Sequence, residues 1–120
     1  IYLHEETKDI INKMYQSDAI GLFSKLEGLP NTICEGMSLK KPVIMTRVSD
    51  FSILIDDKNG FLCDWDNPSS IKKSLIEIRH LNKEKLKTMG EYSYIKSEKL
   101  FSSEVIIKKW LFLLDIKESQ

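Results

Sequence analysis

The chain has 120 residues, 42% of them hydrophobic, and its 18 basic and 18 acidic side chains cancel to a net charge of zero. That length makes one domain or a piece of one, large enough to bury a core of its own. The balance excludes a basic excess that would steer the chain to nucleic acid, and no run approaches the ~18–20 apolar residues of a membrane span.

The chain opens on Ile1, Tyr2 and Leu3, with no Met, no signal-peptide pattern and no capping residue. Residues 1–3 read as a short strand, and the abrupt start reads as a chain that begins inside a larger protein. Thr7 is placed to cap a helix over 7–15, with Ile10/Met14 and Ile11/Tyr15 paired on one face. Residues 19–23 are a continuous apolar run, the pattern of a strand covered on both sides. A turn over 27–30 leads to a helix over 31–39, with Pro30 at its first position. Residues 42–45 form the next buried strand, with Pro42 at its start.

A short helix is expected over 50–55. Asp57, Lys58, Asn59 and Gly60 are turn chemistry, and 61–63 a further strand. Asn67 and Pro68 open a helix by the cap-then-proline rule, with Ile71, Leu75, Ile78 and Leu81 as its apolar stripe. Two more helices are expected, over 83–100 and 103–116. The last is apolar almost all round, from Val105 through Trp110 to Ile116, so it expects burial on more than one face, or self-association through 103–116. About four short strands alternating with helices imply an α/β, Rossmann-like partial parallel sheet with flanking helices.

Ligands of such sheets bind beyond the carboxyl ends of the strands. Glu27 lies just past the 19–23 run, and Glu35 follows eight positions later, with Gly28 and Pro30 between them. A nucleotide-activated sugar needs a carboxylate for its ribose diol, donors for its pyrophosphate and another acceptor for its sugar hydroxyls. Charge-assisted hydrogen bonds contribute about 1.5–3 kcal/mol each. The unpaired amides of a helix start, with its dipole, favour the phosphates. Glu35, the amides near Asn31 and Thr32, and Glu27 suit those roles in turn. On spacing alone a solvent-facing Glu35 and a chance pair of carboxylates remain open readings.

Other features read as structural. Cys34 and Cys63 sit in apolar stretches without metal-ligand spacing, and fit buried thiols of a reducing, cytoplasmic compartment. His4 and His80 lack metal-like neighbours. Lys40 and Lys41 read as a solvated cation pair at a helix C-terminus, and Lys83, Lys85, Lys87, Lys96 and Lys99 as a solvated helix face. No Ser/His or Cys/His relay is present.

Ser24, Glu27, Gly28, Leu29, Pro30, Asn31, Glu35, Gly36 and Met37, followed by Lys41, Pro42, Val43 and Ile44, closely resemble the donor-site signature of retaining GT-B-fold glycosyltransferases of family 4. Asn59, Gly60, Phe61 and Leu62 look like that family's "NGFL" strand; Met89-Gly90 and Phe101-Ser102 look like its late landmarks. The likeness runs over about residues 1–116. It implies the C-terminal half-domain of a GT-B fold, with the first strands and the N-terminal acceptor domain elsewhere. It implies a nucleoside diphosphate sugar as donor, no metal and no cofactor, and a sugar or lipid-linked acceptor. Glu35 would meet the ribose and Glu27, as the catalytic-site carboxylate, the donor sugar. Gly28, Leu29, Pro30, Asn31 and Thr32 would line sugar and phosphate. Front-face displacement would then proceed without an enzyme nucleophile.

Bacterial polysaccharide or glycolipid synthesis follows from what such relatives commonly do, with peripheral contact at the inner membrane. The family's pyrophosphate-clamping Arg and Lys fall upstream of Ile1, so the segment alone is expected to be inactive. His4 stands where the family often has Gly, and Ser49-Asp50 replace a frequent Gly pair. A non-catalytic α/β interaction module, and a related sugar phosphorylase or epimerase, are the competing readings.

Overall fold

The computed structural model describes residues 1–114. Ile116 and the end of the last expected helix lie outside the described residues. Six helices and three strands follow in the order α1 (Ile10–Gln16), β1 (Ile20–Leu22), α2 (Asn31–Ser38), β2 (Val43–Thr46), α3 (Phe51–Leu54), β3 (Gly60–Cys63), α4 (Pro68–Arg79), α5 (Lys83–Phe101) and α6 (Ser103–Leu113). The sheet is parallel in the order β1-β2-β3, with Ile20 opposite Val43 and Val43 opposite Gly60.

Central β2 is buried at every position, as its unbroken Val43-Ile44-Met45-Thr46 run requires of a strand paired on both edges. The core gathers around it from Met14, Ile20, Ile33, Met37, Val43, Met45, Leu54 and Ile55. Helix α2 packs on β1, β2 and α5, and α4 packs on β2 and β3. Three helices take side-chain caps: Asn67 accepts from Ser70 N–H, Asn82 from Lys85 N–H and Ser102 from Val105 N–H.

The late sequence landmarks have packing reasons. A Cβ on Gly90 would sit 2.0 Å from the Lys40 carbonyl oxygen, so only glycine lets α5 approach the end of α2. A Cβ on Gly60 would meet the Val43 carbonyl at 2.1 Å, and glycine allows β3 to enter the sheet there. Asn59 is buried and holds its own turn: its Oδ1 accepts from Asp56 N–H at 2.9 Å and its Nδ2 donates to the Leu54 carbonyl at 3.0 Å.

Several expectations need correcting. Residues 1–3 form no strand; Ile1, Tyr2 and Leu3 are exposed and pair with nothing among the described residues, which hold three strands, not four. Thr7 does not cap α1. Its hydroxyl accepts from Asp9 N–H, α1 starts at Ile10, and only Met14 of the expected apolar pairs is buried. Pro30 is the residue before α2 rather than its first; its ψ of 80° is not helical, and its carbonyl accepts from Ile33 and Cys34 N–H.

Ile71 and Ile78 of the expected α4 stripe, and Leu81 just after the helix, are half-buried, and Leu75 is the exception. Leu75 is 45% exposed, and Ser74 turns inward instead, its hydroxyl donating to the Leu62 carbonyl. Lys40 and Lys41 are not simply solvated. Lys40 pairs with Glu91 at 3.4 Å, and Lys41 donates to the Tyr15 carbonyl at 2.6 Å. Lys96 likewise pairs with Asp56.

Candidate functional site

The loops leaving the three strands meet at the carboxyl edge of the sheet. After β1, the Ser24 hydroxyl donates to Glu27 Oε1 at 2.5 Å, while the Ser24 carbonyl accepts from buried Thr46 Oγ at 2.6 Å. Glu27 is therefore held by a neighbour that is itself pinned to the end of β2. After β2, Ser49 adopts a left-handed backbone with φ of 53°, and its hydroxyl donates to the Gly28 carbonyl. The expected departure from a Gly pair thus has a physical content. The position keeps the conformation that favours glycine, and the serine adds a clamp on the glycine loop.

After β3, Asp64 pairs with Arg47 at 2.7 Å, and Lys25 Nζ lies 4.7 Å from the centre of the Trp65 ring. Those two contacts tie the second loop to the third and the first loop to the third. Ser24 is part of the sequence signature, but its role as the brace of Glu27 is visible only in the fold. The same is true of Thr46, Ser49 and the Lys25–Trp65 pair, because each acts across a gap in sequence that no local spacing marks.

The stretch between the two carboxylates is open. Gly28 has no positive φ, and a Cβ built on it would meet nothing within 4 Å. Neither conformation nor packing asks for glycine there. The N–H groups of Gly28, Leu29 and Thr32 have no acceptor among the described residues. The Asn31 N–H differs from expectation: it is taken by the Leu29 carbonyl at 2.9 Å. Pro30 contributes no N–H and is buried as the floor of the turn. Thr32 is the first free donor of α2.

Glu35 is exposed one turn further along α2. It borders a groove of about 250 Å³ with Cys34, Ser38 and, from α5, Ser97, Glu98 and Phe101. That groove does not include Glu27. Burial pushes the Cys34 thiol up from its ordinary value, with the Glu35 charge adding to the effect, so the thiol stays protonated at neutral pH. Burial likewise raises Cys63, next to Asp64. Both thiols are free, Cys63 buried and Cys34 half-buried. Among the described residues no three side chains of metal-ligating type come together. His4 and His80 are both exposed.

The family Glycosyl transferases group 1 matches residues 1–96. The chain belongs to that family. The match ends before Phe101 and Ser102, so those two resemble the family's landmark outside the matched span. An uncharacterised glycosyltransferase of Methanocaldococcus jannaschii is 42% identical over 69 residues, which is 57% of this chain and 19% of that protein. Among solved structures, a sucrose-phosphate synthase from Thermosynechococcus elongatus superposes with a TM-score of 0.80 at 17% identity, over 96% of this chain and 29% of that one. A glycosyltransferase from Rickettsia africae gives 0.80 at 24% identity, over 94% and 31%. TarM gives 0.76 at 23% identity, over 91% and 22%. The sheet with its flanking helices therefore matches GT-B glycosyltransferase structures, and this family domain spans less than a third of each of those chains.

Proposed function

We propose that this chain is part of the C-terminal, donor-binding domain of a retaining GT-B glycosyltransferase of the family 4 type. Its first strands and its acceptor domain would lie in the rest of the protein. The donor is a nucleoside diphosphate sugar. Glu35 accepts hydrogen bonds from the ribose diol, and Glu27, held by Ser24, accepts from hydroxyls of the sugar. The phosphates face the free N–H groups of Gly28, Leu29 and Thr32 at the start of α2. Leu29, Pro30 and Asn31 shape that turn, with the Asn31 N–H spent on holding it.

The observation that carries this reading is Gly28. Its glycine is unexplained by the fold, faces open space and carries the first of three unpaired N–H donors at the edge where parallel sheets take ligands. In a front-face displacement, charge builds on the leaving phosphate, and donors fixed before the reaction lower the barrier. The acceptor is a sugar or a lipid-linked sugar, within bacterial polysaccharide or glycolipid synthesis. The enzyme works in the cytoplasm, peripheral to the inner membrane where the acceptor is lipid-linked. No metal or cofactor takes part.

The test is release of nucleoside diphosphate by the full chain, with Glu27→Gln and Glu35→Ala beside it. Each lost charge-assisted hydrogen bond is worth about 1.5–3 kcal/mol, so kcat/KM should fall roughly ten- to a hundredfold. Unchanged turnover in both variants would contradict the assignment and favour an interaction module. Turnover that releases no nucleoside diphosphate would favour a phosphorylase.

A further inference from the structure

A second groove lies at the other end of the sheet. It encloses about 240 Å³ between the turn that precedes β3 and the outer face of α5, with Asp56 and Lys58 on one side and Tyr92, Ile95, Lys96 and Lys99 on the other. Lys58 and Asn59 stand before the first residue of β3, whereas Glu27 and Gly28 follow the last residue of β1. In a parallel sheet those are opposite ends, so this groove is separate from the donor site.

Its charge is uneven by construction. The lone carboxylate, Asp56, is already occupied: Oδ2 takes Lys96 Nζ at 2.7 Å and Oδ1 takes the Lys58 N–H at 2.9 Å. Neither Lys58 nor Lys99 forms a close ion pair among the described residues, although the Lys58 charge also acts on Asp56, so the groove carries more positive than negative charge. The neighbouring acids turn elsewhere. Asp57 lines a groove with Arg47, and Glu98 lines the groove of Glu35. The wall between the cations is apolar, made by half-exposed Ile95 and the Tyr92 ring, whose centre lies 5.8 Å from Lys58 Nζ.

We propose that this groove binds an organic phosphate. The groove's excess of two positive charges, three lysines against one carboxylate, matches the roughly −1.5 to −2 charge of a phosphomonoester, and lysine serves as a point-charge phosphate ligand. Tyr92 and Ile95 take the apolar part of the same molecule, the usual division in a small-molecule pocket between an apolar wall and a few fixed charges. The Lys96–Asp56 pair supplies no binding charge of its own; it holds the turn and α5 together so that Lys58 and Lys99 share one groove.

Phenyl phosphate is the probe, titrated into the full chain by calorimetry. Lys58→Gln/Lys99→Gln is compared with Lys83→Gln/Lys87→Gln, which removes the same charge from an exposed part of α5. Saturable binding that weakens at least tenfold in the first double variant and stays unchanged in the second supports the site. Co-sedimentation with phosphatidylcholine vesicles only when phosphatidic acid is included, lost in the first variant, assigns the phosphate to a lipid headgroup. Binding of phenyl phosphate without co-sedimentation assigns it to a free organic phosphate. Absence of saturable phenyl phosphate binding, or equal weakening in both double variants, overturns the proposal.

Discussion

Gly90 shows how one missing Cβ sets a helix packing. Helix α2 ends in a Schellman motif: Lys41 N–H reaches the Gly36 carbonyl at 3.0 Å and Lys40 N–H reaches the Met37 carbonyl at 3.1 Å. Lys40 stands at the left-handed position, with φ of 59°. Its carbonyl then points at α5, where any side chain on residue 90 would strike it. Gly90→Ala should therefore destabilise the fold by about 1–3 kcal/mol, read as a lower urea midpoint. An unchanged midpoint would mean that α5 does not sit this close. Asp56 gives a pH signature at the same scale. The Lys96 ammonium holds its carboxyl below the ordinary value, against the opposing effect of burial, with the Lys58 N–H and charge adding to the lowering. The folded-state value is thus below the unfolded one. The pair's contribution is fully present above the unfolded pKa of about 3.9 and fades as pH falls through the folded value. Both side chains are partly exposed, so the contribution is at most about 1 kcal/mol. Asp56→Asn should cost that little at pH 7, and the difference from the parent should shrink in urea melts as the pH falls below about 3.9. A gap that widens in acid would reverse the sign of the argument.

The elements divide by whether local chemistry alone decides them. β2 and the start of α4 were readable because an apolar run and a cap-then-proline pair act within a few residues of themselves. The 27–35 stretch was readable as a turn into a helix for the same reason. What failed did so for lack of a partner. Ile1, Tyr2 and Leu3 have strand chemistry but no neighbour to pair with. The α4 stripe fails at Leu75 alone, because the Ser74 hydroxyl bonds to the Leu62 carbonyl and turns a small polar residue inward. In the candidate site, Glu27, Gly28 and Glu35 were legible as residues, but their supports were not. The Thr46 hydroxyl on the Ser24 carbonyl and the Ser49 hydroxyl on the Gly28 carbonyl act between segments that only the sheet brings together, whereas the Ser24 hydroxyl on Glu27 spans three positions within one loop. That difference is testable at Ser49. Ser49→Ala keeps the left-handed backbone and removes the clamp on the Gly28 carbonyl. Stability should change by less than about 0.5 kcal/mol, since the residue is exposed. Donor KM should rise about fivefold, the equivalent of one hydrogen bond's ~1 kcal/mol. A KM equal to the parent's would show that the loop keeps its shape without the clamp.

The described residues do not close into a compact body. The radius of gyration is 16.1 Å, against about 14 Å for a chain of this length folded tightly. Two features account for the excess: the extended residues before α1, and α6, which has no buried residue although Ile107, Trp110, Phe112 and Leu113 lie along it. β1 pairs with β2 alone, so its other edge is uncovered among the described residues. No helix among these residues is long and apolar enough to cross a membrane. For the segment by itself we expect concentration-dependent association by light scattering, relieved by Trp110→Glu. A monomer at high concentration would count against α6 as a sticky face.

If a ligand rather than the fold asks for glycine at position 28, stability and donor binding separate there. The deciding measurement pairs thermal unfolding with titration of nucleoside diphosphate sugars, on the full chain and on Gly28→Ala. Gly28→Ala should be as stable as the parent, or more stable by about 0.4–1 kcal/mol from reduced freedom of the unfolded chain, with donor affinity at least tenfold weaker. A variant that binds donor as the parent does, or that loses stability and affinity together, would contradict that role for the ligand.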